Sequence, residues 1–217
     1  KVGIPLTMYT YERFPFWYAF FKKIGFDVVI SPQTNKLIAH EGIEFSVAEP
    51  CFPIQVSHGH VAELMNAGVD YVFLPNQVNA ESFDQRVESH VCPWGQTLPF
   101  VVRSAPSFEA RKGIFISPTV RFRDGRKRVT EVLVRLARKH KVLRDQAEMA
   151  VGKAYTAQER FVGKVLEMGR EALERLETRN GARNSRRRNP RLSRGLLVGL
   201  PVSVTRAQGQ LRGPSSA

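Results

Sequence analysis

Apolar positions in the first 142 residues follow two periods. Short runs rich in β-branched and aromatic residues, "KVGIPL" (1–6), "FDVVISP" (26–32), "VDYVFLPN" (69–76) and "KGIFISP" (112–118), read as strands, the third running into a polar loop. In "PFWYAFFKKIG" (15–25), Phe16, Trp17, Phe20, Phe21 and Ile24 recur at helical spacing, with Pro15 early and Gly25 as the stop. Together with Phe14 these aromatics read as core. Further helices are expected over 35–44, over 53–68 with Gly68 as cap, over 93–102 where Pro99 interrupts the pattern, and over the amphipathic stretch 124–142. Strands alternating with helices predict an α/β fold, a parallel sheet of about four strands with helices on both faces. Ligand sites in such sheets lie beyond the carboxyl ends of the strands.

Residues 143–177 carry a longer pattern. Ala147, Val151, Ala154, Phe161, Val165, Met168 and Ala172 form a stripe at spacings of three and four, broken by Gln158. An unbroken helix of this length reaches about 50 Å. A break near Gly152 or Gly163 is expected, or a helix that leads away toward a second domain. From Thr178 the composition changes, with nine Arg, no Lys, no acid and no aromatic residue up to Ala217. The expected organisation is an α/β domain over 1–142, a long helix over 143–177 leading toward a missing second domain, and an Arg-rich tail over 178–217. That tail reads as disordered, or as translated out of frame.

Charge changes this picture little once it is located. Of the net +13, nine charges belong to 178–217, which leaves +4 to residues 1–177. Nucleic-acid binding is not expected, because the basic segment offers no aromatic residue for base stacking. No apolar run approaches the roughly 20 residues of a membrane span, and no signal-peptide core follows Lys1. Two cysteines in 217 residues are not a secreted disulfide scaffold, so a cytoplasmic protein is expected. A start at Lys1 rather than Met points to a fragment.

The chemistry concentrates on those two cysteines. Cys51 lies in "AEPCFPIQVSHGH" (48–60) and Cys92 in "SHVCPWGQ" (89–96). Proline is well tolerated in the first helical turn, so Pro53 and Pro93 can each open a helix and leave its cysteine at the N-terminus. Free N–H groups there favour negative charge on sulfur. Spacing alone leaves three readings open: buried inert thiols, a metal site, and a disulfide. His58 and His60, two residues apart on a helix, point about 200° from each other and do not readily share a metal. His90 precedes Cys92 by two residues. These three histidines are candidates for supporting hydrogen bonds at most. No phosphate-binding glycine loop and no nucleophile elbow is present.

Several blocks in order carry a family resemblance: the opening 1–44, "CFPIQVSHGHVAELMNAGVDYVFLPN", "VCPWGQTLPF" and "AYTAQERFVGKVLEMGREALERLE". Residues 1–177 resemble a domain of proteins related to 2-hydroxyacyl-CoA dehydratase activases, similar to the iron–sulfur subunits of 2-hydroxyacyl-CoA dehydratases and benzoyl-CoA reductases. The resemblance implies that Cys51 and Cys92 are ligands of a [4Fe–4S] cluster serving electron transfer or dehydration of an acyl-CoA. It also implies partners: an upstream ATPase-type activase domain and a further C-terminal α/β domain. The chain has no third cysteine, so other cluster ligands come from elsewhere and the chain alone is expected to be inactive. The alternative is a non-catalytic α/β scaffold or interaction module with buried thiols.

Overall fold

The structure is a computed structural model and describes residues 1–183 except Phe83 and Gln85; of 178–183 it describes the backbone alone. The elements run β1 (Val2–Ile4), α1 (Thr10–Lys23), β2 (Val28–Ile30), α2 (Lys36–Phe45), α3 (Phe52–Asn66), β3 (Tyr71–Phe73), β4 (Asn76–Asn79), α4 (Pro93–Arg103), β5 (Phe115–Ile116), β6 (Thr119–Arg121), α5 (Arg126–Lys139) and α6 (Arg144–Arg183). Among the described residues the main sheet has four strands in the order β2-β1-β3-β5, and every pairing is parallel. Val2 stands level with Val28 on one side and Tyr71 on the other.

Alternation along each strand divides the interior into two cores. Val2, Ile4, Phe73 and Ile116 join one cluster with Phe16, Trp17, Phe20 and Phe21 of α1, Val129 and Leu133 of α5, and Ala147 to Tyr155 of α6. Val72 and Leu74 join the other with Ile54, Val61 and Leu64 of α3 and Leu98 and Val102 of α4. Successive side chains of a strand point to opposite faces, so helices cover both. Gly3 faces the second cluster, where a Cβ would come within 3.1 Å of Leu64. The centre of the sheet is thereby open to close approach by α3.

The structure departs from the sequence reading at several places. α1 begins at Thr10, and Pro15 lies inside it. The first turn is held by Arg13, which is buried, stacks on Phe122 at 4.1 Å and pairs with Glu81 at 3.0 Å. Part of the expected polar loop is strand β4, paired in parallel with β6. Asn76, Gln77 and Asn79 in it are polar yet buried: the Asn76 side chain donates to the Gln96 main-chain carbonyl, and Asn79 Oδ1 accepts from Arg123 N at 3.0 Å. Hydrogen bonding rather than apolar burial fixes this strand, so hydrophobic periodicity misses it. α4 runs through Pro99 to Arg103.

α6 is continuous across Gly152 and Gly163, without the expected break. Its stripe is buried from Ala147 to Gln158, whose amide donates to the Glu12 carbonyl at 2.7 Å. Phe161, Val165 and Met168 are exposed. The chain divides into two compact units, Lys1–Gly163 and Lys164–Ala217, and the division falls within α6. The backbone of 178–183 continues the helix, so the segment after 177 starts helically; the rest of the expected Arg-rich tail lies outside the described residues.

α2 and α3 pack through two glycines. A Cβ on Gly59 would lie 2.0 Å from the Ile38 carbonyl oxygen, and one on Gly42 would lie 2.5 Å from that of Gln55. Backbone cannot yield as a side-chain tip can. Gly59→Ala is expected to cost about 2–4 kcal/mol as the helices are forced apart. Gly152→Ala, with nothing within 4 Å of the new Cβ, is expected to gain up to about 1 kcal/mol. Urea denaturation of both variants checks the contrast.

Candidate metal centre

Each cysteine occupies the N-cap of a helix. Cys51 has φ −57° and ψ 148° ahead of α3, and Cys92 has φ −59° and ψ 151° ahead of α4, each with a proline in the first turn. The Cys51 carbonyl accepts from Ile54 N at 2.9 Å, and the Cys92 carbonyl from Gln96 N at 3.0 Å. The two backbones therefore repeat one local design. A residue in this position projects its side chain off the helix end, and both thiols are free and exposed. The buried-thiol and disulfide readings are thereby corrected.

The two helix ends meet the loop that follows β1. Ser57, one turn into α3, donates to the Pro53 carbonyl at 2.7 Å, so Thr7 is the donor in the 2.5 Å contact between Thr7 and Ser57. Two residues on, the Tyr9 hydroxyl donates to Cys92 Sγ at 3.6 Å. Gly95 N donates to the same sulfur at 3.2 Å. Burial chiefly, and then the contact with Cys92, push the Tyr9 phenol well above its ordinary range, so it stays protonated as a donor. Both caps thus lie at the carboxyl edge of the sheet, where the fold places ligand sites. Phe52 and Trp94, beside the cysteines, are 55% and 42% exposed and give this edge an apolar rim.

The histidines have other partners. His60 is fully buried, with Nδ1 2.8 Å from Ser31 Oγ and Nε2 2.9 Å from Thr34 Oγ1, and it pins the β2–α2 loop. His58 Nδ1 donates to the Ile54 carbonyl at 3.0 Å while its ring stacks on Phe108. Gly59 between them lies against α2, so the two rings diverge as the helical spacing requires. His90 is exposed and pairs with Glu88 at 3.1 Å. Among the described residues no group of three or more His, Cys, Asp and Glu is arranged to hold a metal ion.

A depression of about 430 Å³ lies at the other edge of the sheet, lined by Ile24, Gly25, Phe26, Tyr71, Lys139, His140 and Lys141. Lys139 sits in the last turn of α5, where positive charge complements the helix dipole. Neither cysteine lines it.

In comparison with known proteins, the family model described as CoA enzyme activase uncharacterised domain matches residues 1–201. The chain belongs to this family. The activase-related domain so identified runs past residue 177, where the sequence resemblance ends. No curated protein and no solved structure matches the chain. The family's description relates the domain to activases of CoA enzymes. Among the described residues no helix is long and apolar enough to cross a membrane.

Sequence reasoning located both cysteines and their helix ends. It did not find Thr7, Tyr9, Ser57 or Gly95. The Tyr9–Cys92 contact joins residues 83 positions apart, and no local pattern encodes it.

Acid should weaken the domain. Burial lowers the pKa of His58 and His60, and to the same effect that of the less buried His140. Each is neutral in the fold, whereas in the unfolded chain each protonates near its ordinary value of about 6.5. Their contribution is full above that value and is lost as pH falls below it toward the depressed folded values. Urea unfolding free energy is therefore expected to fall between pH 7 and pH 5. The slope should be smaller in His60→Gln; an equal slope would assign the pH dependence to other groups.

Proposed function

We propose that this domain supplies two thiolate ligands, Cys51 and Cys92, to a [4Fe–4S] cluster in a CoA-thioester enzyme system. The observation that carries the reading is the repeated cap: two exposed free thiols, on the same backbone geometry, at the helix ends of one sheet edge. The donor set fits in kind, because soft thiolates are the usual ligands of iron–sulfur clusters. It is half the usual number. The remaining ligands come from outside the described residues, from the further α/β domain or the partner implied by the family resemblance.

When bound, the cluster supplies one-electron chemistry at a potential set by hydrogen bonds to its sulfurs and by solvent exposure. The chain's own residues do three things. Cys51 and Cys92 hold iron from two helices fixed to one loop. Gly95 N and the Tyr9 hydroxyl donate to the Cys92 sulfur. Phe52 and Trp94 form an apolar rim suited to burial against the covering domain. An acyl-CoA would then be the substrate of the assembled system, activated by an upstream ATPase-type domain, and the single chain would be inactive. The assembled system would work in a reducing cytoplasm, where exposed thiols stay available as ligands.

A scaffold reading keeps one observation in its favour, the lack of a three-residue ligand group among the described residues. Anaerobic reconstitution with iron and sulfide separates the two. The full chain is expected to turn brown, with broad visible absorption and sub-stoichiometric, labile iron. Cys51→Ser and Cys92→Ser should each reduce the retained iron several-fold. Equal iron retention in the wild type and in the variant lacking both cysteines would favour the scaffold.

A further inference from the structure

The two cysteines share a backbone geometry but not a sulfur environment. Cys51 makes no side-chain capping bond. Cys92 accepts from Gly95 N of its own helix and from Tyr9, which belongs to α1's N-terminus. We propose that Tyr9 is a positioning residue for Cys92: its hydroxyl fixes that sulfur by an O–H···S hydrogen bond across two elements, which makes the two thiols inequivalent.

Three features of the local structure support this. First, the turn that delivers Tyr9 is strained. Met8, immediately before it, has φ +49°, a left-handed conformation that costs a non-glycine residue energy and persists only where its surroundings impose it. Second, α4 carries a notch shaped for the Tyr9 ring. A Cβ on Gly95 would lie 2.4 Å from the Tyr9 hydroxyl oxygen and 2.6 Å from ring carbon Cε2. A side chain there would drive the ring off the helix. The same glycine also gives its N–H to the sulfur, so it serves both contacts. Third, the loop is anchored on either side of Tyr9. Thr7 holds Ser57 of α3, and Arg13, one turn into α1, holds Glu81. Packing a tyrosine on a helix requires none of its hydroxyl geometry, whereas holding a sulfur does.

In the cluster reading proposed above, on which the functional part of this inference rests, the consequence is electronic. A donor hydrogen bond to a ligating sulfur stabilises the added negative charge of the reduced cluster and raises its potential. Tyr9→Phe removes the donor and keeps the ring. Gly95→Ala keeps the donor and displaces it.

The test uses the full chain in two states. Without iron, thermal unfolding is measured for the wild type, Tyr9→Phe, Cys92→Ala and the double variant. Tyr9→Phe is expected to lower Tm by about 1–4 °C in the wild-type background and by clearly less in Cys92→Ala. With iron and sulfide, redox titration is expected to give Tyr9→Phe and Gly95→Ala a more negative potential than the wild type, the cluster being formed in all three. Equal Tm losses in the two backgrounds overturn the proposal whatever the iron content, as does an unchanged potential in iron-loaded Tyr9→Phe. Coupling between Tyr9 and Cys92 in a chain that takes up no iron upholds the positioning contact and overturns the cluster reading alone.

Discussion

The β1–α1 loop ties both cysteine-bearing helices to the centre of the sheet, through Thr7 to Ser57 and through Tyr9 to Cys92. β1 is the strand that can do this. It is paired on both sides, to β2 and β3, and its alternating residues contribute to both cores. Gly3 at its middle admits α3, and Ile4 at its end is fully buried. The loop that leaves such a strand has little freedom, and polar bonds made from it fix what they touch. These bonds act beside others: α2 packs on α3 through Gly42 and Gly59, and Asn76 of β4 donates to the Gln96 carbonyl of α4.

This explains why the site is built from polar contacts while the fold is built from apolar ones. The fold tolerates some irregularity. α1 contains Pro15, α4 contains Pro99, and α6 passes two glycines without breaking. At Pro15, Pro99 and Gly152 an apolar face buried against the sheet or its neighbours outweighs the local penalty. The site tolerates less. Gly95 leaves no room for a methyl group beside Tyr9, and Gly59 leaves none between α2 and α3. The close approach of α2 to α3 also sets the line of α3, and therefore the position of Cys51 at its start.

Legibility in the sequence follows the same division. The four strands of the main sheet were readable because β-branched runs mark them, and the cap positions of Cys51 and Cys92 because proline follows each. β4 was not readable, since Asn76, Gln77 and Asn79 are buried polar residues and carry no apolar signal. The 3₁₀ stretch Pro106–Ile114 and the early start of α1 were missed because propensity there is weak and tertiary contacts decide. At the site, cysteine identity and helix-end placement came from local sequence. The Tyr9 contact to the Cys92 sulfur joins residues 83 positions apart, which one sequence does not display.

The proposal that Cys51 and Cys92 serve one cluster requires their sulfurs to lie within bridging reach of each other. Treatment of the reduced full chain with a short bifunctional thiol alkylator, followed by peptide mapping, tests it most directly, because a bridge forms only between sulfurs within the reagent's reach. An intramolecular Cys51–Cys92 bridge is expected as the main product at low protein concentration. Two separate mono-adducts with no bridge would contradict it.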